Sequence, residues 1–251
     1  MPHLELDNHR YYYAGDINRA GTPLIFCHGS GGRHHHWLYQ LKGLKETANP
    51  IALDLPGHGR SEGNPSDDIA VYRNWLHRFI EINGLERPVI AGHSMGGAIA
   101  IDYALQYPDD YLGLILVGSG GKLRVLPSFL EELEKGTVPD ALSEYLYGPS
   151  ASRELLEKGK KEAKDTAASI YYADLSACDK FDAMDKLHQI TKPVLIVCGS
   201  EDRLTPVKYS RYLEEKLPDS KVELIDGAGH MVMLEEPDQV NQAIIKFIKQ
   251  L

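Results

Sequence analysis

Cysteine is scarce in this chain of 251 residues, with Cys27, Cys178 and Cys198 the only three. They are too few and too far apart for a disulfide framework, and no C-x-x-C pair is present to indicate zinc or thiol redox chemistry. Basic residues are in the minority too, 27 lysines and arginines against 36 aspartates and glutamates, for a net charge of −9. No basic stripe is available to neutralise phosphates, which argues against a nucleic-acid partner. The Lys158 to Lys164 run is broken by Glu162 and reads as a solvated helix face. No apolar run reaches the ~18 residues of a membrane span, and Met1 to Arg10 has neither the basic nor the apolar region of a secretory leader. From these absences we expect a reducing, cytoplasmic setting and no stable membrane anchor.

What is present is an ordinary globular composition, 43% apolar and 25% charged. Short apolar runs bounded by glycine or proline recur at Leu24–Cys27, Ile51–Leu53, Val89–Ala91, Leu114–Val117, Val194–Cys198 and Val222–Ile225. Helical stretches separate them, the pattern of a mostly parallel sheet covered by helices on both faces. Before them, His3–Asp7 and Arg10–Ala14 flank Asn8-His9, which reads as a hairpin at one edge. Ile69, Tyr72, Leu76, Phe79 and Ile80 repeat at helical spacing, with Asp67 or Asp68 as cap and Gly84 as stop. A last helix starts near Pro237 and sets Val240, Ile244, Phe247, Ile248 and Leu251 on one face. Residues 121–188 break the alternation. Helical patterns at Phe129–Lys135, Ala141–Tyr147, Arg153–Lys164 and Ala167–Asp174 mark a cap inserted into a core of residues 1–120 and 189–251.

The strongest chemical signal is Gly92-His93-Ser94-Met95-Gly96, a G-x-S-x-G placed directly after a strand and before a helix. A sharp strand-to-helix turn needs flanking residues without Cβ, because bulk there would strike neighbouring backbone. Ser94 then stands above the carboxyl edge of the sheet, where ligands bind in open α/β folds. A hydroxyl is a weak nucleophile without a base, so a carboxylate and then a histidine are expected further along. Asp202 follows the Val194–Cys198 run and His230 follows the Val222–Ile225 run, each in a loop at a strand's carboxyl end.

With Phe26-Cys27-His28-Gly29-Ser30-Gly31-Gly32, Asp54-Leu55-Pro56-Gly57-His58-Gly59-Arg60-Ser61, the serine elbow, Gly199-Ser200-Glu201-Asp202 and Gly227-Ala228-Gly229-His230 in this order, the sequence resembles the α/β-hydrolase fold family over essentially its whole length. The resemblance implies Ser94 as nucleophile, His230 as general base and then acid, and Asp202 as the group that orients the imidazole. It also implies an oxyanion hole from the backbone N–H groups of Met95 and Ser30, with Gly29 or Gly31 as substitutes if the loop shifts. GHSMGG with DLPGHGRSEGN is similar to monoacylglycerol lipases. A carboxylesterase needing no cofactor is the expected activity. Lactonase, thioesterase, carbon–carbon hydrolase and perhydrolase chemistry use the same triad, and a non-catalytic receptor is the reading from another class.

Other residues compete for these roles. Asp226 rivals Asp202 but sits too near His230 in sequence to reach around its ring, and Glu201 and Glu235 are held in reserve. His34-His35-His36 resembles a metal cluster, yet consecutive side chains diverge and no carboxylate pattern accompanies them, so no metal site is expected. His28 reads as shaping its turn, His93 as packing beneath the nucleophile, and His58 as structural. Gly29, Phe129, Leu130, Tyr145, Tyr171 and Met231 are the expected substrate contacts, lining a pocket for an apolar acyl group of a small-molecule ester. No arginine cluster demanding a charged acyl group is evident.

Overall fold

In the computed structural model, which describes residues 3–251, the apolar runs become strands: β1 His3–Leu6, β2 His9–Ala14, β3 Pro23–Cys27, β4 Asn49–Leu53, β5 Val89–His93, β6 Gly113–Val117, β7 Val194–Gly199 and β8 Ser220–Ile225. Met1 and Pro2, part of the stretch read above as leaderless, lie outside the described residues. The strands form one sheet in the order β1-β2-β4-β3-β5-β6-β7-β8. Pairings from β4 to β8 are parallel, while β1 with β2 and β2 with β4 are antiparallel. The helices are α1 Leu38–Gly43, α2 Ile69–Ile82, α3 Met95–Gln106, α4 Pro127–Glu134, α5 Asp140–Glu144, α6 Arg153–Asp165, α7 Ala168–Lys180, α8 Val207–Lys216, α9 Val232–Glu235 and α10 Pro237–Ile248.

The central strands are apolar throughout because both of their faces are covered. Ile25, Ile51, Ile90 and Leu114 pack with Tyr72, Leu76 and Phe79 of α2 in one core layer. Their alternating neighbours Leu24, Phe26, Ala91 and Ile115 pack with Trp37 and with Val240, Ile244 and Phe247 of α10 in the other. Phe26 and Trp37 lie 4.6 Å apart between centroids and are fully buried. Burying an aromatic or aliphatic side chain of this size contributes about 1.5–3 kcal/mol. Helix α2 is capped by Asp68, whose carboxylate accepts the Ala70 N–H at 2.8 Å. Such a cap contributes about 1 kcal/mol.

Most boundaries shift by one to three residues, α5 for example ending at Glu144 instead of Tyr147, and three differences have a clear physical cause. The hairpin turn is Asp7-Asn8 rather than Asn8-His9: Leu6 faces His9, and both turn residues take positive φ, 52° and 63°. A two-residue turn with the twist of the strands requires this, and Asp and Asn tolerate it. Helix α7 runs past Asp174 to Lys180, because Ala177 and Cys178 carry its buried stripe onward. Leu251 lies beyond α10 and is exposed instead of completing the helix's apolar face. Helices α4 to α7 all fall between β6 and β7, so the chain leaves and rejoins the sheet at adjacent strands.

Candidate active site

Parallel pairing aligns the carboxyl ends of β3, β5, β7 and β8 along one edge, and four loops leave from it. At the end of β5, Ser94 has φ 53° and ψ −115°, a left-handed conformation uncommon outside glycine. The turn persists because its surroundings leave no alternative. A Cβ on Gly92 would come within 2.0 Å of the Gly96 oxygen, and one on Gly96 within 2.4 Å of the Cys27 oxygen. The bend is pinned by Ser94 N–H to the Val117 carbonyl at 2.9 Å, and by the Ser119 hydroxyl donating to the Ser94 carbonyl at 2.8 Å. Ser94 is the N-cap of α3 but its hydroxyl caps nothing. The helix therefore points its positive end at the site without consuming the side chain.

His230 Nδ1 and Asp202 Oδ2 are 2.8 Å apart, and both residues are buried. Asp202 is held in place by three further hydrogen bonds from its own loop. Its Oδ1 accepts the Leu204 and Thr205 N–H groups at 2.9 and 2.8 Å, while its Oδ2 accepts the Thr205 hydroxyl at 2.8 Å, and Thr205 Oγ1 also lies 3.3 Å from His230 Nδ1. Burial opposes ionisation of Asp202, but the His230 ring and these hydrogen bonds outweigh it and hold the carboxyl below its ordinary range. With Nδ1 committed to the carboxylate, Nε2 is the ring nitrogen left for chemistry. The rivals are engaged elsewhere. Asp226 accepts from the Ser200 hydroxyl at 3.3 Å, and Glu235 accepts the Gly148 and Gly229 N–H groups at 2.8 and 3.0 Å.

The loop after β3 is fastened from both ends. His28 Nδ1 donates to the Gly29 carbonyl at 2.8 Å, and its Nε2 accepts the Leu55 N–H at 3.1 Å, which fixes the tautomer. Gly31 N–H donates to Asp174 Oδ2 at 2.8 Å. The same fully buried carboxylate takes His58 Nε2 at 2.9 Å and the Tyr72 hydroxyl at 2.7 Å. His58 Nδ1 meets the Pro56 carbonyl at 2.9 Å, so both ring nitrogens face acceptors. Burial works against a charge on His58, but Asp174 and these bonds prevail and raise its pKa. One aspartate from α7 thus joins the β3 loop, the β4 loop and α2. His93 is buried beside this edge of the sheet, its Nε2 3.0 Å from the His230 carbonyl.

Two cavities meet at Ser94. The smaller, about 80 Å³, is walled by Gly29, Ser30, His230, Met231 and Tyr171. The larger, about 360 Å³ and more open, is walled by Phe129 and Tyr145 among others. Leu142, Leu175 and Leu204 border both. Five of the six expected contacts, Gly29, Phe129, Tyr145, Tyr171 and Met231, therefore face a cavity. Leu130 lines neither, because α4 turns Phe129 inward and carries the next side chain about 100° round the helix. Arg124, Arg203 and Lys208, from three separate segments, also line the larger cavity, cations that the sequence reading did not place at the site.

The triple histidine behaves differently from its sequence reading. His35 and His36 converge: their Nε2 atoms lie 2.6 and 3.2 Å from the two carboxylate oxygens of Glu162 on α6. The three could in principle hold a metal ion, their ligand atoms lying within 4.8 Å of one another. His36 fits that role poorly. Its Nδ1 is buried without a partner, so a metal on Nε2 would leave an N–H there with nothing to accept it. With Nε2–H given to Glu162, only a lone pair is left unused, and the trio reads as a hydrogen-bonded clasp between α6 and the β3 loop.

A sequence profile of the alpha/beta hydrolase family matches residues 24–243. The chain belongs to the alpha/beta hydrolase family. Among solved structures, a thermophilic esterase superposes with a TM-score of 0.88 at 32% identity, covering 99% of this chain and 97% of the other. The N-acyl homoserine lactone degrading enzyme Est816 superposes with a TM-score of 0.82 at 25% identity, over 98% of this chain and 100% of that one. Among curated sequences, the dihydrolipoyllysine-residue acetyltransferase component of the acetoin cleaving system of Pseudomonas putida is 29% identical over 92% of this chain. This chain spans 64% of that relative's length. No helix among the described residues of this alpha/beta hydrolase is long and apolar enough to cross a membrane.

Sequence reasoning missed Asp174, Glu162, Leu142, Leu175 and the three cations of the larger cavity. For Asp174 a signal existed, an acid amid the apolar positions of α7, which a solvated face does not require. Arg203 could have been found as the immediate neighbour of Asp202 in a loop bound for the site.

Proposed function

We propose that this alpha/beta hydrolase is a serine hydrolase of carboxylic esters, acting through an acyl-enzyme on Ser94. The observation that carries the reading is the His230 to Asp202 bond, buried beside a serine in a strained turn. The strain is consistent with a functional demand, since a non-glycine residue in this conformation costs of order 1–3 kcal/mol. His230 Nε2 takes the Ser94 proton as Oγ attacks the ester carbonyl, while Asp202 steadies the imidazolium. The N–H groups of Met95 and Ser30 stabilise the oxyanion, and losing one such donor typically costs about 10²–10³ in turnover. His230 then protonates the departing alcohol, activates water, and the acid leaves. Helices α4 to α7 act as the lid whose side chains select the substrate.

A fluorophosphonate probe and a p-nitrophenyl ester test this together. The wild-type protein should label once and turn over the ester, and Ser94→Ala should lose both while unfolding at the wild-type temperature. Wild-type turnover in Ser94→Ala would refute the assignment, and a folded wild-type protein that does not label would favour a non-catalytic receptor.

A further inference from the structure

The larger cavity has an electrostatic character opposite in sign to the chain as a whole. In a molecule of net charge −9, Arg124, Arg203 and Lys208 line it and no aspartate or glutamate does. The three reach it from the segment after β6, from the loop beside Asp202 and from the first turn of α8. Among the described residues none of them makes a direct ion pair with a carboxylate; Asp182 is held by Lys122 at 2.5 Å, and Arg124 acts on it only from a longer distance. The Arg203 guanidinium instead stacks 4.0 Å from the Tyr145 ring centroid, a contact that orients the group without neutralising it. Helix α8 opens on the same cavity through Pro206 and Lys208, with no acid in its first turn and no side chain capping it. Its amino end adds positive potential. Beneath this rim the walls are apolar, formed by Leu123, Val125, Phe129 and Leu142. Apolar walls bordered by cations that make no direct contact with a carboxylate fit a short hydrocarbon chain that terminates in an anion.

We propose that the ester cleaved at Ser94 bears a carboxylate, separated from the ester by a few methylenes, on the half of the molecule that occupies this cavity. The inference rests on the ester hydrolase reading and names its substrate class. The carboxylate is a spectator: water still adds across the acyl–oxygen bond, giving acid and alcohol, and the anion is bound alike before and during reaction. Its recognition therefore lowers KM and leaves kcat little changed.

The test compares matched pairs at pH 7.5. Monomethyl adipate against dimethyl adipate places the charge on the acyl side, and 6-acetoxyhexanoate against its amide places it on the alcohol side. We expect kcat/KM to favour the anion by about tenfold or more in one pair at low salt, through KM, and the preference to shrink as salt is raised to 0.5 M. The pair that shows it identifies which half enters the cavity. In the triple variant Arg124→Gln, Arg203→Gln, Lys208→Gln the ratio should fall towards one. Equal or better turnover of both neutral partners would overturn the proposal and leave the ester hydrolase reading standing, and so would a preference that survives the triple variant. Turnover of none of the four esters would remove the ester hydrolase reading and this proposal with it.

Discussion

Replacing Asp174 by asparagine changes almost no volume and removes one charge, which makes it the sharpest probe of how the helical segment supports the site. The carboxylate takes three donors, Gly31 N–H at 2.8 Å, His58 Nε2 at 2.9 Å and the Tyr72 hydroxyl at 2.7 Å, and it has no exposure to water. An amide supplies one oxygen in place of two and turns an N–H₂ towards a former donor. His58, whose raised pKa depends on this carboxylate, must then give up its proton or remain as an uncompensated buried cation. Breaking a buried pair by removing one partner costs about 3–5 kcal/mol. For a chain of this size each kcal/mol shifts Tm by about 2–4 °C, so Asp174→Asn should melt roughly 6–20 °C below wild type. Gly31 N–H is among the lost partners, so the loop that presents Ser30 loosens as well. Turnover of a p-nitrophenyl ester, measured well below the lower Tm, should fall at least tenfold, mainly in kcat, since a misplaced oxyanion donor acts on the transition state. Calorimetry and steady-state kinetics check both parts. A variant with Tm within a degree of wild type and unchanged kcat would refute the claim that this carboxylate fastens the loop.

Three further outcomes follow from the same geometry. Asp202→Asn should keep the fold and lower kcat by about 10⁴, because the imidazole loses its orienting acceptor; an effect under tenfold in ester turnover would exclude Asp202 from the role. Gly96→Ala should unfold at much lower temperature or fail to accumulate, since its Cβ would lie 2.4 Å from the Cys27 oxygen; a soluble variant with wild-type Tm would show that the elbow yields easily. The folded pKa of His58 is raised, so its protonation stabilises the protein fully below the unfolded value of about 6.5, and this is lost as pH rises through the folded value. The stability gap between wild type and His58→Gln, from urea titrations, should therefore be widest near pH 5.5 and narrow towards pH 9, and a gap constant with pH would contradict it.

Much of this was legible because the governing forces are local. Glycines around Ser94, apolar runs closed by loops, and the loops that carry Asp202 and His230 directly after such runs are each written within short windows. The hairpin turn slipped by one place because Asp7, Asn8 and His9 differ little in their tolerance of left-handed backbone, and pairing register decides among them. Leu130 was misplaced because periodicity defines a stripe but not the neighbour it meets. Asp174, Glu162 and the cations of the larger cavity stayed hidden for a different reason: their partners lie more than a hundred positions away or on separate segments, brought together only by how α4 to α8 fold back over the sheet edge.

The stitching of that helical segment also bears on traffic. Asp174 holds α7 to the β3 loop, Glu162 ties α6 to His35 and His36, and Glu235 grips the backbone of Gly148 beside that of Gly229. Swinging the segment away as a hinged door would tear all three seams at once and dismantle the loop behind Ser94. On the proposed function, passage of a small molecule then asks for movement only of side chains that line the larger cavity, such as the exposed Leu126 and Arg203, and none of the helices.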